Sequence, residues 1–168
     1  TTASNNTAVG ISAMLLNTTG AENTAVGRLS LDANTTGSDN VAIGNAALSG
    51  NTTAADNTAV GSAALMSNTT GTRNTAVGKS SLSANTTGDF NTGIGRTALE
   101  NVTTADGNTA VGVAAASQTT TGASNTAMGY LALNLNTTAS NNTAVGKSAL
   151  GANTTGAQNT AVGTQALE

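Results

Sequence analysis

NTTGAENTAVG, residues 17–27, decides the fold, because it returns as NTTGAQNTAVG at 153–163 and near copies fill the interval. The Asn that opens each NTAVG or its variant stands at 6, 23, 40, 57, 74, 91, 108, 125, 142 and 159, a spacing of 17 residues without exception. With that Asn as unit position 1, the unit reads N-T-A-V-G-x-x-A-L-x-x-N-T-T-G-x-x. Loops of globular domains absorb insertions, whereas a period that never slips points to units stacked in a lattice with no room for an extra residue.

The copies report what each position tolerates. Unit positions 1 and 5 are Asn and Gly in all copies, and positions 13 and 14 are always Thr-Thr. Position 4 is always apolar and mostly β-branched: Val9, Val26, Ile43, Val60, Val77, Ile94, Val111, Met128, Val145 and Val162. Position 9 is Leu apart from Met14 and Ala116. Position 6 runs from Ile11 and Arg28 to Lys147 and Thr164 and so reads as facing water.

Seventeen residues with Gly and Asn-Thr clusters are too few for a helical hairpin, and β-branched residues beside Gly and Asn suit short strands and tight turns. The expected fold is all-β: a parallel β-solenoid, or β-roll, of about ten coils with one repeat per coil, and residues 1–168 form a single repeat domain. Each coil is expected to carry a strand over unit positions 2–5, a second segment over 7–10, and corners near 1, 5–6 and 12–16. Coils about 4.8 Å apart give a rod of roughly 48 Å.

In such a stack Asn6, Asn23, Asn40, Asn57, Asn74, Asn91, Asn108, Asn125, Asn142 and Asn159 form a column whose side-chain amides can bond along the rod. Position 12 offers a second column, Asn17, Asn34, Asn51, Asn68, Asn85, Asn136 and Asn153, interrupted by Val102 and Thr119. A corner role explains the same Asn residues, since Asn tolerates left-handed backbone geometry. The Gly at position 5 reads as a corner that needs positive φ or close backbone approach. Alternation puts Thr24 and Val26 on one strand face and Ala25 and Gly27 on the other. Both faces are restricted in composition, as in strands buried on both sides. A thin coil buries little apolar surface by itself, so an oligomer is expected.

Composition narrows the function classes. The chain has 168 residues with no Cys, His, Pro or Trp, one Phe and one Tyr, and a net charge of -3. Five scattered basic residues and two distant aromatics make neither an electrostatic footprint nor a stacking platform, which sets nucleic acid aside. The longest apolar run, ISAMLL at 11–16, is far short of a membrane span, so no membrane insertion is expected. The eight acids scatter over unit positions 10, 16 and 17 without a His or Cys beside them, so no catalytic residue, metal site or cofactor is assigned. The G-x-D pattern of calcium-binding β-rolls is missing.

Two surface chemistries compete with plainer readings of the same residues. Asn17, Asn34, Asn51, Asn68, Asn85, Asn136 and Asn153 each open an Asn-Thr-Thr triplet, the pattern of an N-glycosylation acceptor, with further acceptors at Asn5, Asn101 and Asn141. Asn-Thr-Thr is also good turn chemistry, the preferred reading. Stacked Thr suggest an ice-binding face, yet adjacent Thr18 and Thr19 are expected to point in opposite directions.

NTAVG, NVAIG (40–44) and NTAMG (125–129), followed in most copies by a small residue and Leu, resemble the head repeats of trimeric autotransporter adhesins of the YadA type. They are equally similar to the NTAVG..AL..NTTG repeats of phage tail-fibre and related bacterial surface-fibre proteins. The resemblance covers the whole chain; the coil here is longer than the usual adhesin-head repeat by its NTTG-type corner. It implies a left-handed parallel β-roll, three chains around an axis and an extracellular rod on a cell or virion surface. The expected function is therefore a non-enzymatic extracellular fibre segment, the rod of an adhesin or tail fibre, whose partners are further copies of itself and a host or cell-surface ligand. The variable positions 6, 7, 10 and 11, which include Leu15, Leu16, Tyr130 and Leu131, read equally as the place of specificity for that ligand and as neutral surface. The alternative is a self-assembling filament of extracellular matrix or cell envelope, and ice binding comes third. The chain opens in mid-repeat and ends at unit position 10 without a cap, so it is expected to be a segment of a longer fibre or to stack end to end.

Overall fold

The computed structural model describes residues 2–168, and they form a parallel β-solenoid. The ten strands are β1 (Thr7–Val9), β2 (Thr24–Val26), β3 (Val41–Ile43), β4 (Thr58–Val60), β5 (Thr75–Val77), β6 (Thr92–Ile94), β7 (Thr109–Val111), β8 (Thr126–Met128), β9 (Thr143–Val145) and β10 (Thr160–Val162). They make one ten-stranded sheet in chain order, each paired in parallel with the next. The register repeats the sequence period: Thr24 lies beside Val41, Ala25 beside Ala42, Val26 beside Ile43. Every residue thus stands over its copy one coil away.

The strand is shorter than expected, covering unit positions 2–4, because the Gly at position 5 turns the chain with φ of 128° to 139°. That Gly is also pressed against the next coil. A Cβ on Gly27 would lie 2.5 Å from the carbonyl oxygen of Gly44, so both the dihedral and the contact exclude a side chain.

The segment over positions 7–10 is not a strand. Positions 7 and 9 have left-handed backbones in every coil, for example Leu29 at φ 57° and Leu31 at φ 51°. Such a conformation costs about 1–2 kcal/mol for an L-residue. It breaks the alternation of a strand, and consecutive side chains at positions 8 and 9, such as Ala47 and Leu48, both enter the interior. Hydrogen bonds along the rod persist there, with the amide of Leu31 donating to the carbonyl of Ala47 at 3.0 Å. A third left-handed residue, at position 17, turns the chain back into the strand, as Asp39 does at φ 59°.

The interior of each coil is small: Ala at position 3, Ala or Ser at 8, Leu at 9, and the Asn side chains of positions 1 and 12. Within one chain the strand is buried on one face only, the other being the face expected to pack against another copy. Ala25 is fully buried, whereas Val26 is only half-buried and Ile43, Ile94 and Met128 are 39–45% exposed. The position-4 column points outward because the coil's single interior already receives Asn, Ala and Gly from the opposite face of the strand.

Because Leu82 is fully enclosed and sits at φ 52°, Leu82→Ala is expected to lower stability by about 2–4 kcal/mol, read by chemical denaturation, since the collapsed coil cannot refill the space.

Candidate functional site

The two Asn columns are the most regular polar feature. The Oδ1 of each position-1 Asn accepts the backbone N–H of the next one along the rod, from Asn6 with Asn23 to Asn142 with Asn159, at 2.9–3.0 Å. From Asn6 to Asn125 the Nδ2 donates to the carbonyl of position 15, as Asn23 does to Gly37 at 2.9 Å. The position-12 Asn reaches the same carbonyl from the other side, Asn34 donating to Gly37 also at 2.9 Å. Its second proton goes to the Asn below, Asn34 to Asn17 Oδ1 at 2.8 Å. In the coils opened by Asn6, Asn23, Asn40, Asn57, Asn74 and Asn125, one backbone oxygen therefore joins two side-chain ladders.

Where the second ladder is interrupted, the accounting fails. Val102 is buried in an Asn place, and the Oδ1 of Asn85 beneath it is left without a hydrogen-bond partner. Thr119 is buried in the next Asn place and receives Asn136 Nδ2 at a long 3.4 Å.

These ladders also place the glycosylation triplets. Asn34, Asn51, Asn68, Asn85 and Asn136 are fully buried, and Asn17 and Asn153 are half-buried. All seven donate Nδ2 to the position-15 carbonyl, so the atom a sugar would modify is held in the coil. Turn and ladder chemistry account for the triplet. The first Thr of each corner also bonds along the rod, Thr35 Oγ1 donating to the carbonyl of Thr52 at 3.0 Å, while the second Thr, such as Thr36, is exposed.

The largest surface is the outer face of the sheet. Position 2 presents Thr in each strand except β3, where it is Val41, and position 4 presents the apolar column. The two columns run side by side for the length of the rod, about 4.8 Å between coils and about 7 Å between columns. Alternation in the sequence identified the face, which is open in the single chain. Among the remaining positions proposed for specificity, Leu15, Leu16 and Tyr130 are 65%, 55% and 52% exposed, and Leu131 is half-buried. Leu131 and Leu135 border a shallow cavity of about 220 Å³ that Gly151, Ala152 and Glu168 also line. Among the described residues no three His, Cys, Asp or Glu side chains gather where a metal ion would sit, and no helix is long and apolar enough to cross a membrane. No family model, no curated protein and no solved structure matches the chain.

Val102→Asn is expected to raise stability by about 1 kcal/mol by giving Asn85 Oδ1 its donor, measured as a shift of the denaturation midpoint. Asn74→Ala removes the acceptor for the Asn91 amide and the donor to Gly88, and is expected to lower it by about 2–3 kcal/mol. Incubating the folded protein with an N-glycosylating enzyme and a glycan donor is expected to leave the five buried Asn unmodified by intact mass. A glycan on Asn51 or Asn68 with unchanged circular dichroism would mean the ladder opens.

Proposed function

We propose that the chain is a non-enzymatic rod segment of an extracellular fibre, of the adhesin or tail-fibre kind. It associates side by side with copies of itself and attaches to a cell or host surface through many weak, repeated contacts. The observation that carries this reading is the outer face of the sheet, an unbroken strip of Thr and apolar, mostly branched side chains that runs through all ten strands. Unit positions 1–5 contain no charged residue in any copy. Three extended residues by ten coils span roughly 480 Å², the size of the patches that mark functional surfaces on soluble proteins. Long apolar strips of this kind mark interaction surfaces. In a bundle the inner face of each chain supplies lateral contacts and the outer corners remain free for a ligand.

Self-assembly into a matrix or envelope filament uses the same face and differs in how copies add along the rod. Ordering of water by the face is the third reading, favoured by the in-register Thr column of position 2, and it requires the strip to stay uncovered.

Light scattering coupled to size exclusion over a concentration series is expected to give a fixed mass of three chains. A mass that climbs with concentration favours the filament, and a monomer at every concentration refutes lateral association. Val77→Lys with Val111→Lys places two charges in the strip and is expected to leave the circular dichroism unchanged while shifting the mass to a single chain.

A further inference from the structure

The seventh coil, opened by Asn108, departs from the unit inside and outside at once. Inside, Ala116 takes the place of the core Leu. Val102 and Thr119 take the places of ladder Asn, so the chain of Nδ2-to-Oδ1 bonds that runs from Asn17 to Asn85 at 2.8–3.1 Å stops there. It resumes only between Asn136 and Asn153, at 3.2 Å. The position-15 carbonyls of Ala105 and Gly122 each receive one side-chain amide, from Asn91 at 2.7 Å and Asn108 at 2.9 Å, where a carbonyl such as Gly37 O receives two.

Outside, the same coil is gripped by its neighbours. Asn134, at position 10 of the eighth coil, donates Nδ2 to the carbonyl of Ala114 at 3.0 Å and to Ser117 Oγ at 2.8 Å. Asn101, at position 11 of the sixth coil, donates Nδ2 to the carbonyl of Ser117 at 2.8 Å. Positions 10 and 11 hold Asn nowhere else in the chain. Two side chains from the flanking coils thus close on Ser117 from either side, and both are only half-buried.

The exchange matters because the two kinds of bond differ in strength. A buried amide bond cannot be replaced by water, whereas a half-buried one competes with it and contributes less. In a stack whose stability is a sum of coil and nearest-neighbour contributions, a coil with a weak interior opens by itself rather than with the whole rod. The strand side does not share the deficit. The amides of Asn108 and Asn125 bond their ladder Oδ1 at 3.0 Å, and β7 stays paired with β6 and β8.

We infer that the corner of the seventh coil, residues 117–123, is a joint that opens while the sheet stays paired, and that Asn101 and Asn134 are the latch that holds it shut. Opening gives the rod one place to yield, with firmer coils on either side and the strip unbroken. The inference needs a single chain and stands apart from lateral association.

Amide hydrogen exchange resolved by residue tests it on the full chain. Gln118 and Thr120 donate their backbone amides to the next coil at 3.1 and 2.8 Å, and their copies in the fourth coil, Ser67 and Thr69, do so at 3.1 and 2.9 Å. Despite this equal geometry, Gln118 and Thr120 are expected to exchange about tenfold faster or more. The strand amides of Thr109 and Thr126 are expected to keep the slow rate of Thr58 and Thr75. Asn101→Ala with Asn134→Ser introduces residue types that Ala33 and Ser49 already place at positions 11 and 10. It is expected to speed Gln118 and Thr120 by a further factor of about three or more and to leave the strand amides unchanged. Ala116→Leu with Val102→Asn and Thr119→Asn rebuilds the unit and is expected to slow both corner amides to the rate of the fourth coil. Equal rates in the fourth and seventh coils of the wild-type chain overturn the joint, as does exchange of the strand amides in step with the corner. Rates that climb steadily toward the last coil, with Thr137 faster than Thr120, mean fraying from the end and overturn it too. A double variant with wild-type rates overturns the latch.

Discussion

The position-15 carbonyl is the point on which each coil depends. Gly37 O receives the side-chain amide of Asn23 from the strand side and that of Asn34 from the corner side, both at 2.9 Å. The two Asn residues are in turn bonded to their copies one coil below, Asn23 through its backbone amide to Asn6 Oδ1 and Asn34 through Nδ2 to Asn17 Oδ1. A coil cannot close without its neighbour supplying half of these bonds. A buried amide left unpaired costs about 1–3 kcal/mol, so the ladder works as much by penalising misalignment as by stabilising the native stack. That is the physical reason why the 17-residue period admits neither insertion nor deletion.

A core built in this way needs few large side chains. Ala at positions 3 and 8 lets the two walls of the coil approach, one Leu fills the remaining space, and the Asn side chains occupy volume that a thicker domain would give to aliphatic residues. Left-handed Leu residues are the cost of this thinness. With only 17 residues to go round, two consecutive side chains must turn inward, and the 49–52° φ values at position 9 accomplish it in every coil. Packing of the Leu overrides its backbone preference, because the alternative is a Leu in water and an empty core.

The period, the parallel in-register stacking and the Asn columns were legible in the sequence because each leaves a mark at one unit position. The Gly corner was legible for the same reason. The left-handed backbone at positions 7 and 9 was not, since Leu, Ala and Ser advertise no such conformation and only the closed geometry of the coil imposes it. The face that carries the Val column was legible from alternation, whereas its burial does not arise within one chain, because one chain has one interior. The Asn-Thr-Thr triplets show the limit of a motif taken alone. A pattern that reads as an acceptor on a loop becomes, at a fixed unit position, a buried donor.

Irregularity in such a stack is local in its consequences, because each coil touches only its neighbours. The departures from the unit gather in the sixth and seventh coils: Val102 and Thr119 replace ladder Asn, and Ala116 replaces the core Leu. Asn85 loses its acceptor's partner at the lower border of this stretch, and Asn136 finds only a long contact at the upper one. The seventh coil therefore has neither the aliphatic filling nor the amide ladder of the others, while its position-1 Asn108 and its strand pairing remain intact. The sheet side of the rod is continuous through this stretch and the corner side is not. The departures at these coils thus fall on the corner side of the rod and leave the hydrogen bonding behind the strip intact.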